Sequence, residues 1–129
     1  MRRFGVSNHN PMQIELLKRW VKEPLLLNQL QFSMMSTGML DAGLNVNMKV
    51  DAGVNRDGSV LDYCRLHDIT IQAWSPFQFG FFKGVFVGHA DFPELNRKLD
   101  ELAAAKGVAP SAIAIAWILR HPAKIQPKS

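Results

Sequence analysis

The stretch FGVSNHNP, residues 4–11, sets an apolar run directly before a polar segment that ends in a proline. Pro11 fits the first position of a helix, where its missing N–H leaves no hydrogen bond unmade, and Asn10 is a favoured N-cap residue. Helix initiation therefore explains Asn10 but not Ser7 and Asn8. These two residues follow a short predicted strand and precede a helix, and the carboxyl ends of strands are where α/β folds bind ligands.

The rest of the chain alternates predicted strands with predicted helices. Apolar runs bounded by turn residues predict strands at residues 3–6, 25–30, 69–74 and, as a stub, 124–126. Helical spacing of apolar residues predicts helices at residues 11–21, 39–48, 59–68, 91–106 and 111–121. Two of these helices are predicted to begin with capping boxes, formed by Asn10 with Gln13 and by Ser59 with Asp62. Such alternation is typical of a parallel sheet.

Three apolar patterns predict how these elements pack. The run at residues 25–27 is expected to be buried on both faces, as in a parallel strand. The helix at residues 111–121 is apolar around most of its circumference, which predicts deep packing. The first helix carries an apolar stripe, which predicts a buried face made of Ile14, Leu16, Leu17, Trp20 and Val21.

Polar or aromatic residues close each of the first three predicted strands, which is the pattern of a (β/α)₈ barrel mouth. They are Ser7 and Asn8, then Asn28, Gln29 and Gln31, then Trp74 and Ser75. Such a barrel takes about 250 residues, and this chain has 129. No GxGxxG follows a predicted strand and no P-loop occurs, which argues against a Rossmann or P-loop nucleotide site.

Composition narrows the class of protein. The chain is 47% hydrophobic and 20% charged, which suits a soluble domain with a core. Neither a membrane-spanning run nor the apolar part of a signal peptide is visible, so we expect a cytoplasmic protein without membrane contact. The net charge of +4 is scattered rather than gathered into a basic stripe, so we expect no nucleic-acid site. Cys64 is the single cysteine and is interpreted as a buried structural thiol rather than a reactive one.

Four segments in order resemble the aldo-keto reductase family. They are FGVSNHNPMQIELL (4–17), LLLNQLQFSMM (25–35), a stretch from NVNMKV to QFGFF (45–82) and PSAIAIAWILRHPAKIQP (110–127). The resemblance implies a (β/α)₈ barrel that holds NADPH across its mouth and reduces carbonyls to alcohols without metal or flavin. It places this chain on roughly the fifth to eighth strands. The expected fold is therefore α/β, the second half of a TIM barrel, with about four parallel strands in one incomplete domain over residues 1–129.

The resemblance also implies a cofactor site. Ser7 and Asn8 would hydrogen-bond the nicotinamide carboxamide, and Gln29 would do the same from the next strand. Trp74 would stack on the nicotinamide ring. The segment that includes Ser75 and Phe77 would cradle the pyrophosphate.

The family's catalytic residues are Asp, Tyr, Lys and His, and the resemblance assigns them to the first half of the barrel. We therefore expect no catalytic residue among these 129 residues. Tyr63, the only tyrosine, lies in a predicted helix and is not expected to donate the proton. Lys128 and Ser129 loosely echo the family's segment that grips the adenosine 2′-phosphate.

Other interpretations remain open at this point. Ser7 and Asn8 also fit a turn whose backbone groups they satisfy, Gln29 fits a solvated strand end, and Trp74 fits a core position. The phenylalanines of residues 77–86 fit either the wall of a substrate pocket or packing against the barrel rim, and rim packing is expected for most of them.

Three functions remain in competition. The first is a fragment of an NADPH-dependent carbonyl reductase, with a small carbonyl compound as substrate of the complete enzyme. The second is a non-catalytic truncated product that binds cofactor weakly or self-associates through open sheet edges. The third, a polyanion-binding module, is suggested by charge alone.

Overall fold

Strands and helices alternate along the chain in the predicted order, in a computed structural model that describes residues 3–128. The strands are β1 (Phe4–Ser7), β2 (Leu25–Gln31), β3 (Thr70–Trp74) and β4 (Gln126–Lys128). The helices are α1 (Pro11–Lys18), α2 (Gly38–Leu44), α3 (Val60–Leu66), α4 (Pro93–Lys106) and α5 (Pro110–Leu119), with a 3₁₀ turn at Asp51–Gly53. The predicted elements are thus confirmed, with ends that differ by a few residues.

The strands form one sheet in the order β1-β2-β3-β4. β1 pairs with β2 in parallel, and the register sets Ser7 opposite Gln29. Sequential strand order with helices in the connections is the arrangement of a (β/α)₈ barrel. The predicted α/β class with four strands and flanking helices is therefore confirmed.

Gly5 allows β1 and β2 to pair closely where their register shifts. The irregularity lies between Phe4 and Gly5. A Cβ atom at position 5 would lie 2.4 Å from two side-chain carbons of Leu27, closer than real contacts allow. Glycine is therefore required unless the Leu27 side chain moves.

The chain divides into two compact units. The first unit comprises Met1–Leu30 and Thr37–Gln72, and the second comprises Gln31–Ser36 and Ala73–Ser129. Fully or nearly fully buried apolar side chains of the first unit include Ile14, Cys64 and Ile71. The expectation of a single domain over residues 1–129 stays a prediction.

The core of the second unit is built around Phe86, Leu99 and Ala114, which are almost completely buried. Phe77 and Phe79 pack against this cluster. The side chains of Phe81 and Phe82 in the same loop are 63% and 84% exposed. Packing of this loop against a barrel rim stays a prediction.

The capping box predicted at the start of α1 is confirmed, and the one predicted at the start of α3 is wrong. The Asn10 side chain accepts from the Gln13 N–H, and the Gln13 side chain accepts from the Asn10 N–H, both at 2.9 Å. Ser59 instead adopts a left-handed backbone with φ 60° and makes no capping bond through its side chain. The Asn55 and Asp57 side chains accept from the Ser59 N–H, at 3.2 and 3.0 Å. These local acceptors replace the expected capping box.

Burial also departs from the apolar patterns. α1 ends at Lys18, and Leu16 and Trp20 are 61% and 79% exposed, so only Ile14 of the predicted stripe is fully buried. Leu26 is exposed, so the prediction that residues 25–27 of β2 are buried on both faces is wrong at this position. The predicted stripe is therefore wrong at Leu16, which is exposed although it lies inside α1, and at Trp20, which follows the end of the helix.

Helix α5 packs less deeply than its composition predicts. Only Ala114 and Ile118 are buried, while Leu119 is exposed. α4 ends where Gly107 takes a left-handed backbone with φ 64°, as expected for a helix stop. Among residues 3–128 no single helix is long and apolar enough to cross a membrane. Only α4 and α5 taken together reach that length and apolar composition, and their axes are bent by 94°.

We expect Asn10→Ala to lower the free energy of unfolding by about 1 kcal/mol, because one N-terminal N–H of α1 loses its acceptor. Gln13→Glu keeps an acceptor for the Asn10 N–H and is the matched control, with stability close to wild type. Urea unfolding followed by circular dichroism measures both. An unchanged midpoint for Asn10→Ala would show that the cap does not stabilise the fold.

Candidate cofactor site

Ser7, Asn8 and Gln29 lie together in the first unit at the carboxyl ends of two paired strands. The Asn8 N–H donates to the Gln29 carbonyl oxygen at 2.9 Å. The Ser7 hydroxyl donates to the same oxygen at 3.3 Å. The structure thus brings these three predicted site residues together, and Ser7 also makes the backbone contact that the turn interpretation requires.

The Gln29 side chain is held from the neighbouring strand. Its Nε2 donates to the Oε1 of Gln72 at 2.9 Å. Gln29 is half-buried, whereas Ser7 and Asn8 are exposed. An amide carries two donors and an acceptor with two lone pairs, so Gln29 keeps hydrogen-bonding capacity beyond this contact.

Asn8 and Ser75 share an unusual backbone conformation directly after a strand. Their φ angles are 54° and 51°, in the left-handed region. Asn tolerates this region better than most residues, but for Ser75 it is uncommon. Backbone of this kind is concentrated at functional sites. Both residues belong to the predicted cofactor site.

Asn28 was predicted only as one of the polar residues that close the second strand, without a role in the site. Its side chain is fully buried, and its Nδ2 donates to the His9 carbonyl oxygen at 2.8 Å. The His9 N–H lies 3.5 Å from the Asn28 Oδ1, and the His9 Nδ1 lies 2.9 Å from the Ser7 carbonyl oxygen. The segment that carries Ser7 and Asn8 is therefore fixed from β2. Neighbouring residues of a strand point to opposite faces, so the polar pair Asn28–Gln29 in LLLNQL (25–30) is the signal that would have found it.

Cys64 is completely buried, which confirms the interpretation as a structural thiol. Burial raises the pKa of this thiol, and a hydrogen bond with Asn28 opposes the shift. Thiols react as thiolates, so the neutral form favoured here is unreactive.

Trp74, Ser75 and Phe77 lie in the second unit, at the end of β3 and in the turn that follows it. The Trp74 ring is half-buried, and it meets Phe81 edge to face with centroids 5.8 Å apart. The Ser75 carbonyl accepts from the Gln78 N–H at 3.0 Å, which closes the turn. Phe77 packs on the core of this unit, so its side chain has a structural role whatever its backbone binds.

A polar cavity of about 320 Å³ opens beside Asn8 and His9 in the first unit. Arg56 and Asp57 also line it. A small polar group can therefore reach this side of the strand end.

Tyr63 lies in α3, as predicted, and links this helix to α1. Its hydroxyl donates to the Glu15 carboxylate and accepts from the Lys18 Nζ at 2.9 Å. Burial raises the pKa of Tyr63, while the hydrogen bond from Tyr63 lowers the pKa of Glu15. Its ring also contacts His67, with centroids 4.4 Å apart. Tyr63 is thus engaged in helix packing.

Two further predictions concern metal and phosphate groups. Within residues 3–128 no group of three or more His, Cys, Asp or Glu side chains is arranged to hold a metal ion. Lys128 is exposed at the end of β4, and Ser129 lies outside the described residues. The suggested role of both in phosphate binding stays a prediction.

The sequential order of the four strands, with helices in the connections, is the arrangement found in part of a (β/α)₈ barrel. The family model for the aldo/keto reductase family matches residues 1–127, and the chain belongs to this family. The resemblance drawn from its motifs is therefore confirmed.

Curated relatives support the family. The chain is 33% identical over 124 residues to a 6-dehydroglucose reductase of Agrobacterium fabrum, which covers 95% of this chain and 34% of that protein. It is 30% identical over 130 residues to the uncharacterized oxidoreductase YcsN of Bacillus subtilis. That match covers 98% of this chain and 37% of YcsN. The chain thus spans about a third of the length of the curated relatives it matches.

Solved structures support the fold. A thermostable aldo-keto reductase, Tm1743, crystallised with the inhibitor epalrestat, superposes with a TM-score of 0.61 at 24% identity. The match covers 99% of this chain and 38% of that one. MGS-M4, an aldo-keto reductase from a deep-sea metagenome, superposes with a TM-score of 0.53 at 21% identity. This match covers 97% of the present chain and 36% of MGS-M4. The prediction of a partial barrel is confirmed, while the roles of the six predicted site residues stay predictions.

We expect Asn28→Leu to lower the free energy of unfolding by about 1–3 kcal/mol, because it leaves the backbone groups of His9 unpaired. Gln31→Leu on the same strand is the matched control, since the Gln31 Nε2 is buried without a hydrogen-bond partner among the described residues. That control should be neutral or stabilising. Urea unfolding measures both variants, and equal losses would contradict the role of Asn28.

The native Cys64 thiol should react slowly with Ellman's reagent at about pH 8.5, where an ordinary thiol is half ionised. Because burial raises its pKa, stability associated with the neutral thiol is present below the ordinary thiol pKa. It is lost as pH rises through the folded value. Stopped-flow absorbance with and without urea gives the ratio of rates. A native rate equal to the unfolded rate would show that Cys64 is open to solvent.

Proposed function

We propose that this chain is the nicotinamide-orienting part of an NADPH-dependent aldo-keto reductase that reduces aldehydes or ketones to alcohols. The single observation that carries the proposal is the in-register pairing of Ser7 with Gln29 at adjacent strand ends, where the Asn8 N–H also donates to the Gln29 carbonyl oxygen. Family membership supports the reaction class.

The residue types suit the nicotinamide carboxamide. This group offers one acceptor and two N–H donors, and hydroxyl and amide side chains can both donate and accept. Ser7, Asn8 and Gln29 would hold the carboxamide in one orientation and so decide which face of the ring is presented to the substrate. When bound, the cofactor supplies the hydride; the protein supplies binding and orientation.

Trp74 would provide a flat apolar surface for the nicotinamide ring. Its half-buried position leaves part of the indole accessible. Ser75 would contact the pyrophosphate through its hydroxyl and the adjoining turn, because its left-handed backbone turns the chain sharply after β3. Phe77 would hold that turn on the core of the second unit. The net charge of +4 favours an anionic cofactor.

In this proposal the proton donor belongs to the first half of the barrel, which the resemblance assigns to sequence outside these 129 residues. Tyr63 is not suited to the role, because Glu15 and Lys18 already engage its hydroxyl between two helices. The substrate would be a small carbonyl compound. Since a relative is named for 6-dehydroglucose, an oxidised hexose is the first substrate class to test, and the proposed location is the cytoplasm.

A second candidate is a non-catalytic product that associates with itself. The sheet order favours it, because β1 and β4 are the outer strands among the described residues, and exposed strand edges pair readily with other chains. Sedimentation equilibrium of the 129-residue chain decides this point. A concentration-independent monomer would exclude pairing through these edges.

We expect NADPH to quench part of the tryptophan fluorescence, and Trp74→Phe to remove that part. Trp20→Phe is the matched control, because Trp20 is 79% exposed and lies outside the proposed site. Gln29→Ala and Ser7→Ala should each lower the NADPH affinity obtained from this titration by about fivefold, which corresponds to the loss of roughly one hydrogen bond. Quenching that persists in Trp74→Phe and disappears in Trp20→Phe would contradict the proposed site.

We expect the 129-residue chain alone to oxidise no NADPH in the presence of 4-nitrobenzaldehyde beyond a protein-free blank. The reason is that no proton donor accompanies the orienting residues. Absorbance at the NADPH band measures the rate. Turnover that survives Tyr63→Phe would show that another residue of this chain donates the proton, and turnover abolished by it would restore Tyr63 to that role.

A further inference from the structure

An apolar groove of about 240 Å³ lies between α4 and α5 in the second unit, separate from every residue of the proposed cofactor site. α4 contributes one helical stripe to it and α5 another, since the lining positions on each helix recur at helical spacing. Its apolar lining consists of Met34, Leu95, Leu99, Leu102, Ile113, Ala116 and Trp117.

Every charged side chain that lines this α4–α5 groove is positive. They are Lys98, Lys106 and Arg120. Lys98 is neutralised by Glu101, with the Nζ and Oε1 atoms 2.7 Å apart. Within residues 3–128 no ion pair engages Lys106 or Arg120. The groove therefore joins an apolar floor to two cations that have no internal counter-charge.

We propose that the α4–α5 groove binds a medium-chain aliphatic carboxylate, with its chain on the apolar floor and its carboxylate on Lys106 or Arg120. The apolar side chains of the groove provide the contact surface for an alkyl chain. Opposite charge at its edge favours an anion over a neutral chain.

The charge and the apolar lining of the groove favour this ligand over other small molecules. A neutral lipid would leave both cations without a partner. A polar metabolite would gain little, because the lining offers almost no uncharged hydrogen-bonding group.

Trp117 makes the proposal measurable, since it lines the groove and stacks on Phe32 with centroids 5.5 Å apart. We expect 11-bromoundecanoate to quench tryptophan fluorescence, and Trp117→Phe to remove the quenched fraction while Trp20→Phe retains it. The neutral analogue 11-bromo-1-undecanol should bind at least about fivefold more weakly, the effect of losing one exposed ion pair. Equal quenching by the two ligands would overturn the proposal.

Two variants with matched controls test the floor and the cations. Ala116→Phe fills the groove and should weaken binding at least about tenfold, whereas Ala104→Phe, exposed on α4 outside the groove, should not. Lys106→Glu with Arg120→Glu should weaken binding about tenfold. Lys22→Glu with Lys49→Glu changes the net charge equally and should have little effect. Equal losses in a variant and its control would overturn the proposal.

A competition series uses the wild-type chain and does not depend on how the variants fold. Octanoate, decanoate and dodecanoate should each displace the brominated probe below their micellar concentrations. Affinity should rise about fourfold per added methylene until the groove is filled, and then level off. Absence of displacement, or a rise that continues unchanged through dodecanoate, would show that the groove is not the binding site.

Discussion

The buried amide of Asn28 fixes the end of the first strand, and the arrangement of the candidate site depends on it. A buried polar group destabilises a fold unless it is hydrogen-bonded. Asn28 meets this requirement through the backbone of His9, whose carbonyl accepts at 2.8 Å. The amide thus continues the pairing of β1 with β2 beyond the last residue of β1. Ser7 and Asn8 are held against Gln29 as a consequence.

Much of the fold could be predicted because local signals agreed with one another. Asn10, Pro11 and Gln13 predict the start of α1, and the structure contains that capping box. Gly107 predicts the end of α4, and its left-handed backbone ends the helix there. Ser59 misled because two nearby side chains, Asn55 and Asp57, compete for its N–H. Residue spacing cannot rank such competing acceptors.

The candidate site was predicted from motifs rather than from periodicity. Ser7, Asn8 and Gln29 were named from a resemblance, and the pairing of β1 with β2 explains how they come together. The buried role of Asn28 was not predicted, because a polar residue at the end of a strand is ordinarily interpreted as solvent-facing. The α4–α5 groove was missed for a different reason. Helical spacing predicted a helix at residues 91–106 but not how far its apolar side chains are covered, and of Leu95, Leu99 and Leu102 only Leu99 is fully buried.

The register of β2 connects stability with the proposed function. A slip of one residue turns every side chain of a strand to the opposite face. Such a slip would set Asn28 or Leu30 where Gln29 now stands opposite Ser7, and Asn28 would lose the backbone of His9. The same buried amide that places the polar strand ends therefore penalises the wrong register. Orientation of a nicotinamide carboxamide, in the proposed role, would require that only one register be populated, and the buried amide of Asn28 favours that register.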